Sequence, residues 1–428
     1  MSAEAIALTY TEFSRRLHAR VPGARIPIDV SIEVTRRCPL ACSHCYNNLP
    51  MADPQARQQE LTTEEHYRLL DQLCDAGCLW LLYTGGEIFA RRDFLDIYLY
   101  AKRKGFLITL FTNGTQITPR IVDTLVEWRP FAIEITLYGR TRETYERLTR
   151  VPGSYDRCLA GIRRLTERGL PLAVKTVAVT LNRHEIWDMK RFVEEELGLP
   201  FKFDAMMTPR IDCSQSPLPL RLSPEEIVEL DLLDPGRMKE WQEFSCEYIR
   251  PQQAVGREDE AYHCGGGISS FAIDPLGKMS LCLLSHRETF DLRQGTLADG
   301  WSQFLGKERR KKITRVTKCT ACQLKSVCGM CPANAELEKG DPETPVDFLC
   351  RVAHLRALTF GWPIPPHGAC ECCRGGAWNE ELRRSAETLR GRPANGGRGR
   401  GRVFLPVLVE GMTRTPDGGS SALGSGGA

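Results

Sequence analysis

The chain has 428 residues, 42% of them apolar, and its 57 basic and 54 acidic residues leave a formal charge of +3. That length suits two or three domains rather than one core, and so even a charge balance supplies no field for holding nucleic acid or a membrane surface; neither is expected as a partner. The start, "MSAEAIALTYTEFSRRLHAR", lacks a secretory layout and no apolar run approaches the ~20 residues that span a bilayer, so the cytoplasm is expected; under its reducing conditions the 18 cysteines read as metal or iron–sulfur ligands, not disulfides.

After an N-terminal extension (1–27), strand-like segments rich in β-branched and aromatic residues recur: "IDVSIEVT" (28–35), "LWLLYT" (79–84), "LITLFT" (107–112), "FAIEITL" (131–137), "LAVKTVAVT" (172–180) and "FKFDAMM" (201–207). Helical segments lie between them and carry their own end signals. Thr62-x-x-Glu65 is a capping box, Thr118-Pro119 a cap with proline at the first helical position, and Gly105 and Gly169 are stops. Six βα units with strands this apolar predict an α/β class, a partial (β/α)6 TIM-like barrel over 28–210, whose chemistry belongs on the loops after the strands. A polar helical bridge (211–262) follows, then a small cysteine-rich domain (263–365). The segment 366–428, with "RGRPANGGRGRGR" and a Gly/Ser-rich end, has the composition of a flexible tail.

The loop after the first strand reads "RRCPLACSHCY" and sets Cys38, Cys42 and Cys45 in a C-x3-C-x2-C array. A cubane [4Fe–4S] cluster takes four ligands, so three thiolates leave one iron open, and an open position marks a metal site built to bind something else. Zinc with His44 as fourth ligand is the alternative on this loop. "TGGE" (84–87), "TNG" (112–114) and "TLYG" (136–139) follow strands 2, 3 and 4 in order.

In the second module the spacing is C-x12-G-x4-C (Cys264, Cys282), C-x2-C-x5-C-x2-C (Cys319, Cys322, Cys328, Cys331), then Cys350. Two C-x2-C pairs also suit zinc knuckles, although five residues between them is short and three cysteines are left over. "DPLG" (274–277) has the residues of a type I turn and puts Cys282 on a hairpin. Cys74, Cys78 and Cys158 read as buried thiols of barrel helices and Cys213 as a loop cysteine on the substrate side. Cys370, Cys372 and Cys373 ("CECC") border the tail and receive no role beyond adventitious metal binding.

The first array resembles that of the radical SAM superfamily, C-x3-C-x-φ-C, with His44 at φ. The resemblance implies a [4Fe–4S] cluster on Cys38, Cys42 and Cys45, whose open iron binds S-adenosylmethionine. Its reductive cleavage gives a 5′-deoxyadenosyl radical that takes hydrogen from substrate. It further implies cofactor contacts from His44, from Gly85, Gly86 and Glu87 (the GGE motif, with Glu87 accepting from the methionine ammonium group), and from Asn113 and Thr136. The second array is similar to a SPASM domain, implying two auxiliary iron–sulfur clusters. Cys264, Cys282 and Cys331 would serve the first, one thiolate short, with Cys246 as a distant candidate. Cys319, Cys322, Cys328 and Cys350 would serve the second. By analogy with this architecture the expected reaction is oxidation or cross-linking of a ribosomally made peptide, and the alternative is modification of a tetrapyrrole side chain or another small molecule. Expected partners are the peptide, a one-electron donor such as flavodoxin or ferredoxin, and a separate leader-recognition protein, because 27 residues before the first strand hold no such domain.

Overall fold

In the computed structural model, which describes residues 10–248, 259–364 and 367–391, six strands lie side by side in chain order, all parallel. They are β1 (Asp29–Glu33), β2 (Trp80–Thr84), β3 (Leu107–Thr112), β4 (Ala132–Thr136), β5 (Leu172–Val177) and β6 (Phe201–Asp204). The register runs Asp29–Trp80–Leu107 across the first three and Val174–Phe201 across the last two. Helices α1 (Tyr10–Ala24), α2 (Thr63–Asp75), α3 (Phe94–Arg103), α4 (Pro119–Glu127), α5 (Arg142–Thr149), α6 (Ser154–Glu167) and α7 (Ile186–Arg191) accompany the strands. Both expected N-terminal signals operate: Thr62 and Glu65 form a reciprocal capping box, and Thr118 caps α4 with Pro119 following.

The period-2 alternation of the strands decides the two faces. Ile108, Leu110, Ile133, Ile135 and Val174 join Leu69, Leu70 and Leu73 of α2 and Phe94 and Ile97 of α3 in one buried core. The other face carries Phe111, Glu134, Lys175 and Lys202. There the Lys175 Nζ lies 2.8 Å from the Phe111 ring centroid and 3.0 Å from the Glu134 carboxylate, and Lys202 reaches the same carboxylate at 2.5 Å. Burial lowers the Lys175 ammonium to about 8 even with Glu134 beside it.

The cysteine-rich module is not separated from the barrel as the boundary at 263 implies. Its strand β7 (Ser270–Ile273) pairs in parallel with β1, and β8 (Lys278–Ser280) and β9 (Phe290–Asp291) extend the sheet to nine strands. The physical reason is the open edge of β1: Phe271, Ala272 and Ile273 are buried there, and the pairing satisfies backbone groups that an edge strand leaves exposed. The hairpin turn is as expected, with the Gly277 N–H donating to the Asp274 carbonyl at 3.0 Å and Gly277 at φ +80°. Cys282 lies two residues beyond β8.

Bridge helices α8 (Pro224–Leu233) and α9 (Pro235–Tyr248) lead to α10 (Pro332–Lys339) and α11 (Asp347–Phe360). Asp231 on α8 is buried between two guanidiniums, Arg237 Nη2 at 2.7 Å and Arg356 Nη2 at 2.8 Å, which ties the bridge to α11. The expected flexible tail is corrected for residues 367–391. Helix α12 (Asn379–Arg390) buries Leu382, Ala386 and Leu389 against Val228 and Leu355, an apolar stripe of helical spacing inside a polar composition. The remainder of "RGRPANGGRGRGR" and the Gly/Ser-rich end lie outside the described residues. Two minor cysteine readings also change: Cys74 is exposed on α2, and Cys78, though buried, sits in the turn after that helix. Among the described residues no helix is long and apolar enough to cross a membrane.

Removing one member of a buried ion group leaves uncompensated charge, so Asp231→Ala, which strands Arg237 and Arg356, should destabilise the chain by about 3–5 kcal/mol in chemical denaturation.

Candidate active site

Cys38 closes a short parallel ladder, Arg37–Cys38 against Leu49–Pro50, so the cysteine loop is a pinched excursion from the end of β1. Both sides of the loop are held. The Ala41 N–H donates to the Thr149 carbonyl at 3.0 Å and Ser43 N–H to Leu148 at 3.1 Å, fastening it to the end of α5. Arg210, beyond β6, donates to the Cys45 carbonyl at 3.0 Å and to Asn48 Oδ1 at 2.9 Å. Underneath, Tyr46 donates to Glu33 Oε1 at 2.9 Å, and Arg36 links Glu33 to Asp274 of the hairpin turn at 3.2 Å.

The three thiols converge. Burial pushes Cys38 up to about 12, with the Glu87 charge and Cys45 adding to it, while Asn113 Nδ2, 3.5 Å from the sulfur, pulls the other way. Burial raises Cys42 well above the ordinary thiol range, reinforced by Cys45 and Cys38, and burial likewise raises Cys45. Tyr138 of the "TLYG" loop is raised first by burial and then by the three thiols, with Thr136 as a hydrogen-bond partner, and it packs with Cys42 against the cluster of Leu148, Val179 and Met207. His44 packs edge-on against Tyr138 with ring centroids 4.7 Å apart. Burial lowers it to about 4, and its Nδ1 has no hydrogen-bond partner. Among the described residues, donor sets with all atoms within 4.8 Å of one another, as a single ion needs, occur around His354 and not on this loop. The donor chemistry therefore fits a polynuclear iron–sulfur cluster better than the zinc alternative.

The glycines of "TGGE" also make a close contact within the protein. A Cβ on Gly85 would stand 2.1 Å from the Thr35 carbonyl oxygen, and one on Gly86 2.4 Å from that of Arg36, so their absence admits the cysteine loop's own backbone. Two hydrogen bonds seal the contact, Gly86 N–H to Thr35 O at 2.7 Å and Glu87 N–H to Arg37 O at 3.0 Å. Glu87 is likewise engaged within the protein: its carboxylate accepts from Thr112 Oγ1 at 2.7 Å, Asn113 N at 2.8 Å and Phe89 N at 3.1 Å. Burial still raises its pKa against those donors. Asn113 accepts from Thr115 while donating toward Cys38. Tyr138 and Arg210 were not singled out from sequence; Tyr138 was visible as the ring within "TLYG", whereas no local pattern marks Arg210.

In the second module Cys264, Cys282 and Cys331 come together. Burial raises Cys282 to about 12 with Cys331 and Cys264 adding, and burial raises Cys331 to about 11 with Cys264 contributing. The stretch after Cys264 is a tight turn in which a Cβ on Gly266 would lie 2.9 Å from the Leu281 carbonyl. The side chain of Cys246 lies outside the described residues. Cys319, Cys322, Cys328 and Cys350 line one small cavity with His354 and His367. Cys213 is exposed at φ +64°, its sulfur 3.9 Å from the Glu336 carbonyl of α10. The "CECC" cysteines are buried beside Cys350.

Residues 32–194 match the Radical SAM superfamily model. The chain carries a radical SAM domain, built on the partial barrel described above. Relatives extend further along it. It is 27% identical over 329 residues to the AdoMet-dependent heme synthase of Methanosarcina barkeri, covering 73% of this chain and 93% of that protein. It is 32% identical over 173 residues to the PqqA peptide cyclase of Ruegeria pomeroyi, covering 40% of this chain and only 45% of that relative. Streptococcus suis SuiB has the same fold, with a TM-score of 0.59 at 17% identity over 82% of this chain and 84% of its own. So does anSMEcpe with bound AdoMet, at 0.58 and 12% identity, covering 85% of this chain and all of that one.

Two predictions follow from the loop geometry. Gly86→Ala should displace the cysteine loop and lower anaerobically reconstituted iron by about four per chain. Gly23→Ala, where a Cβ meets nothing within 4 Å, should leave it unchanged. Because His44 is neutral above about pH 4, His44→Phe should keep the packing on Tyr138 and leave the pH profile of S-adenosylmethionine cleavage unaltered between roughly pH 6 and 9.

Proposed function

We propose that the chain is a radical SAM enzyme of the SPASM type that abstracts hydrogen from a ribosomally made peptide and oxidises or cross-links it. The observation that carries this reading is the mounting of the Cys38, Cys42 and Cys45 loop at the carboxyl end of β1, fixed there by the Gly85–Gly86 contact and by Arg210, in a barrel whose uncovered face is charged. When bound, the cluster and S-adenosylmethionine supply the hydrogen-abstracting radical. The protein's part is placement. Cys38, Cys42 and Cys45 serve as the three iron ligands, and Arg210 and the Gly85–Gly86 contact keep their loop rigid. His44, uncharged, offers a flat aromatic ring, Asn113 a polar group next to Cys38 and Thr136 one next to Tyr138. Glu87 braces the ends of β2 and β3 by accepting from Thr112 and Asn113. Glu134, Lys175 and Lys202 form a polar floor suited to a peptide's amide and side-chain groups.

Cys264, Cys282 and Cys331 would hold one auxiliary cluster and Cys319, Cys322, Cys328 and Cys350 another, either of which could accept the electron released from substrate, while a one-electron donor such as flavodoxin or ferredoxin would supply the electron for reductive cleavage. In domain terms, 28–210 is the radical core, 211–262 the bridge and 263–365 the auxiliary-cluster module, whose hairpin shares the core sheet. A separate leader-recognition protein remains part of this reading. A second reading, radical modification of a tetrapyrrole side chain, is favoured by the match to the heme synthase over 93% of that relative's length.

Anaerobic reconstitution tests both. About twelve irons per chain are expected, with reductive formation of 5′-deoxyadenosine that Cys38→Ala, Cys42→Ala or Cys45→Ala each abolishes. Absence of that product from the iron-loaded wild type would refute the radical assignment. Mass spectrometry of candidate substrates then separates the readings: loss of two hydrogens from a peptide encoded beside the gene supports the first, and a mass change confined to a tetrapyrrole supports the second.

A further inference from the structure

Four of the side chains at the far end of the cysteine-rich module have no part in the proposed iron–sulfur chemistry, yet they are gathered as tightly as metal ligands. Cys350 and His354 stand one turn apart on α11, and the loop from His367 to Cys373 folds over them; all the cysteines and histidines of this group are buried. The loop is held by its own bonds. Trp378 N–H donates to the Glu371 carbonyl at 2.9 Å, Gly376 N–H to Cys373 at 2.8 Å, and Asn379 Nδ2 to Cys372 at 2.8 Å. Lys318 clamps it from outside, 2.6 Å from Glu371 and 2.8 Å from Asp347 of α11.

Within this frame the donor atoms of His354, His367, Cys370 and Cys373 all lie within 4.8 Å of one another. His354 Nε2 is 3.6 Å from the Cys373 sulfur and 3.8 Å from that of Cys370, and His367 Nδ1 is 3.5 Å from Cys373. Zinc bonds of about 2.3 Å to sulfur and about 2.0–2.1 Å to nitrogen, set tetrahedrally, put neighbouring N and S atoms about 3.5 Å apart. The observed edges are close to that value. His354 Nδ1 also lies 2.8 Å from the Cys350 carbonyl. A proton on Nδ1, donated to that oxygen, leaves the Nε2 lone pair toward the two sulfurs, the outer support that metal-bound histidines use to set their tautomer.

We propose that His354, His367, Cys370 and Cys373 form a structural zinc site that binds the 367–391 segment to α11. A second group, Cys350, His354, Cys370 and Cys372, also lies within 4.8 Å. We assign the ion to the His2Cys2 set because its members lie outside the cysteines proposed as auxiliary-cluster ligands, whereas the other set takes Cys350 from them. The site is a closed one: four protein ligands and no open position, so it is structural and takes no substrate.

The test is metal analysis of the full chain, purified and anaerobically reconstituted with iron, together with zinc-edge X-ray absorption of the same sample. About one zinc per chain that survives dialysis against EDTA, with two sulfur and two nitrogen scatterers, is the expected result. The double variant His367→Ala/Cys373→Ser should lose that zinc while keeping its iron and its 5′-deoxyadenosine formation. Three results would overturn the proposal: wild type without zinc, a zinc spectrum with three or four sulfurs, or a variant that keeps zinc and loses iron. The absorption measurement needs only the wild type, so a variant that does not fold leaves the decision intact.

Discussion

Two backbones that touch hold this molecule's chemistry in place. The loop after β2 lies against the loop after β1 so closely that no side chain fits between them, and Gly85 and Gly86 are the residues that permit it. The hydrogen bonds from Gly86 and Glu87 to the carbonyls of Thr35 and Arg37 then turn proximity into a fixed geometry. A cysteine ligand set needs such rigidity, because three thiols on a loop free to move would have no defined spacing to offer a metal cluster. Other contacts add to this one: Arg210 from beyond β6, the end of α5, and the buried pairing of Arg37 with Glu60 at 2.8 Å.

The two cysteine-bearing parts are joined directly. They share one sheet, since β7 adds directly to β1, the strand from which the first cysteine loop springs. Arg36, two residues before Cys38, reaches Asp274 in the turn of that same hairpin, and Cys282 follows the hairpin's second strand. The two cysteine sets are therefore mounted on a common sheet, which fixes the distance between them. The barrel's uncovered face sits beside this frame, with Lys175 half-buried between Phe111 and Glu134 and held by both.

Charge buried far from the reacting centre shows the same economy of position. Asp231 carries two guanidiniums on separate elements, and Lys318 two carboxylates, Asp347 and Glu371. Each brings together segments distant in sequence, so the bridge, α11 and the 367–391 segment form one body. Breaking such a group costs more than it contributes when intact, because the remaining charge is left without a partner in a poorly solvated place.

Much of this was legible in the residues alone, for local reasons. Short segments rich in β-branched and aromatic residues marked the six barrel strands, Thr62 with Glu65 and Thr118 with Pro119 marked helix starts, and cysteine spacing marked the loop and the second module. Each of these signals acts over a few residues, where backbone geometry determines which side chains meet. What required the tertiary structure was every relation between distant segments. The addition of β7 to β1, the role of Gly85 and Gly86 against Thr35 and Arg36, the clamp by Arg210, and the meeting of His354 and His367 with "CECC" have no local period or spacing. They arise from which buried surfaces and unpaired edges find each other once the chain is folded, a global minimisation that no short window of sequence expresses.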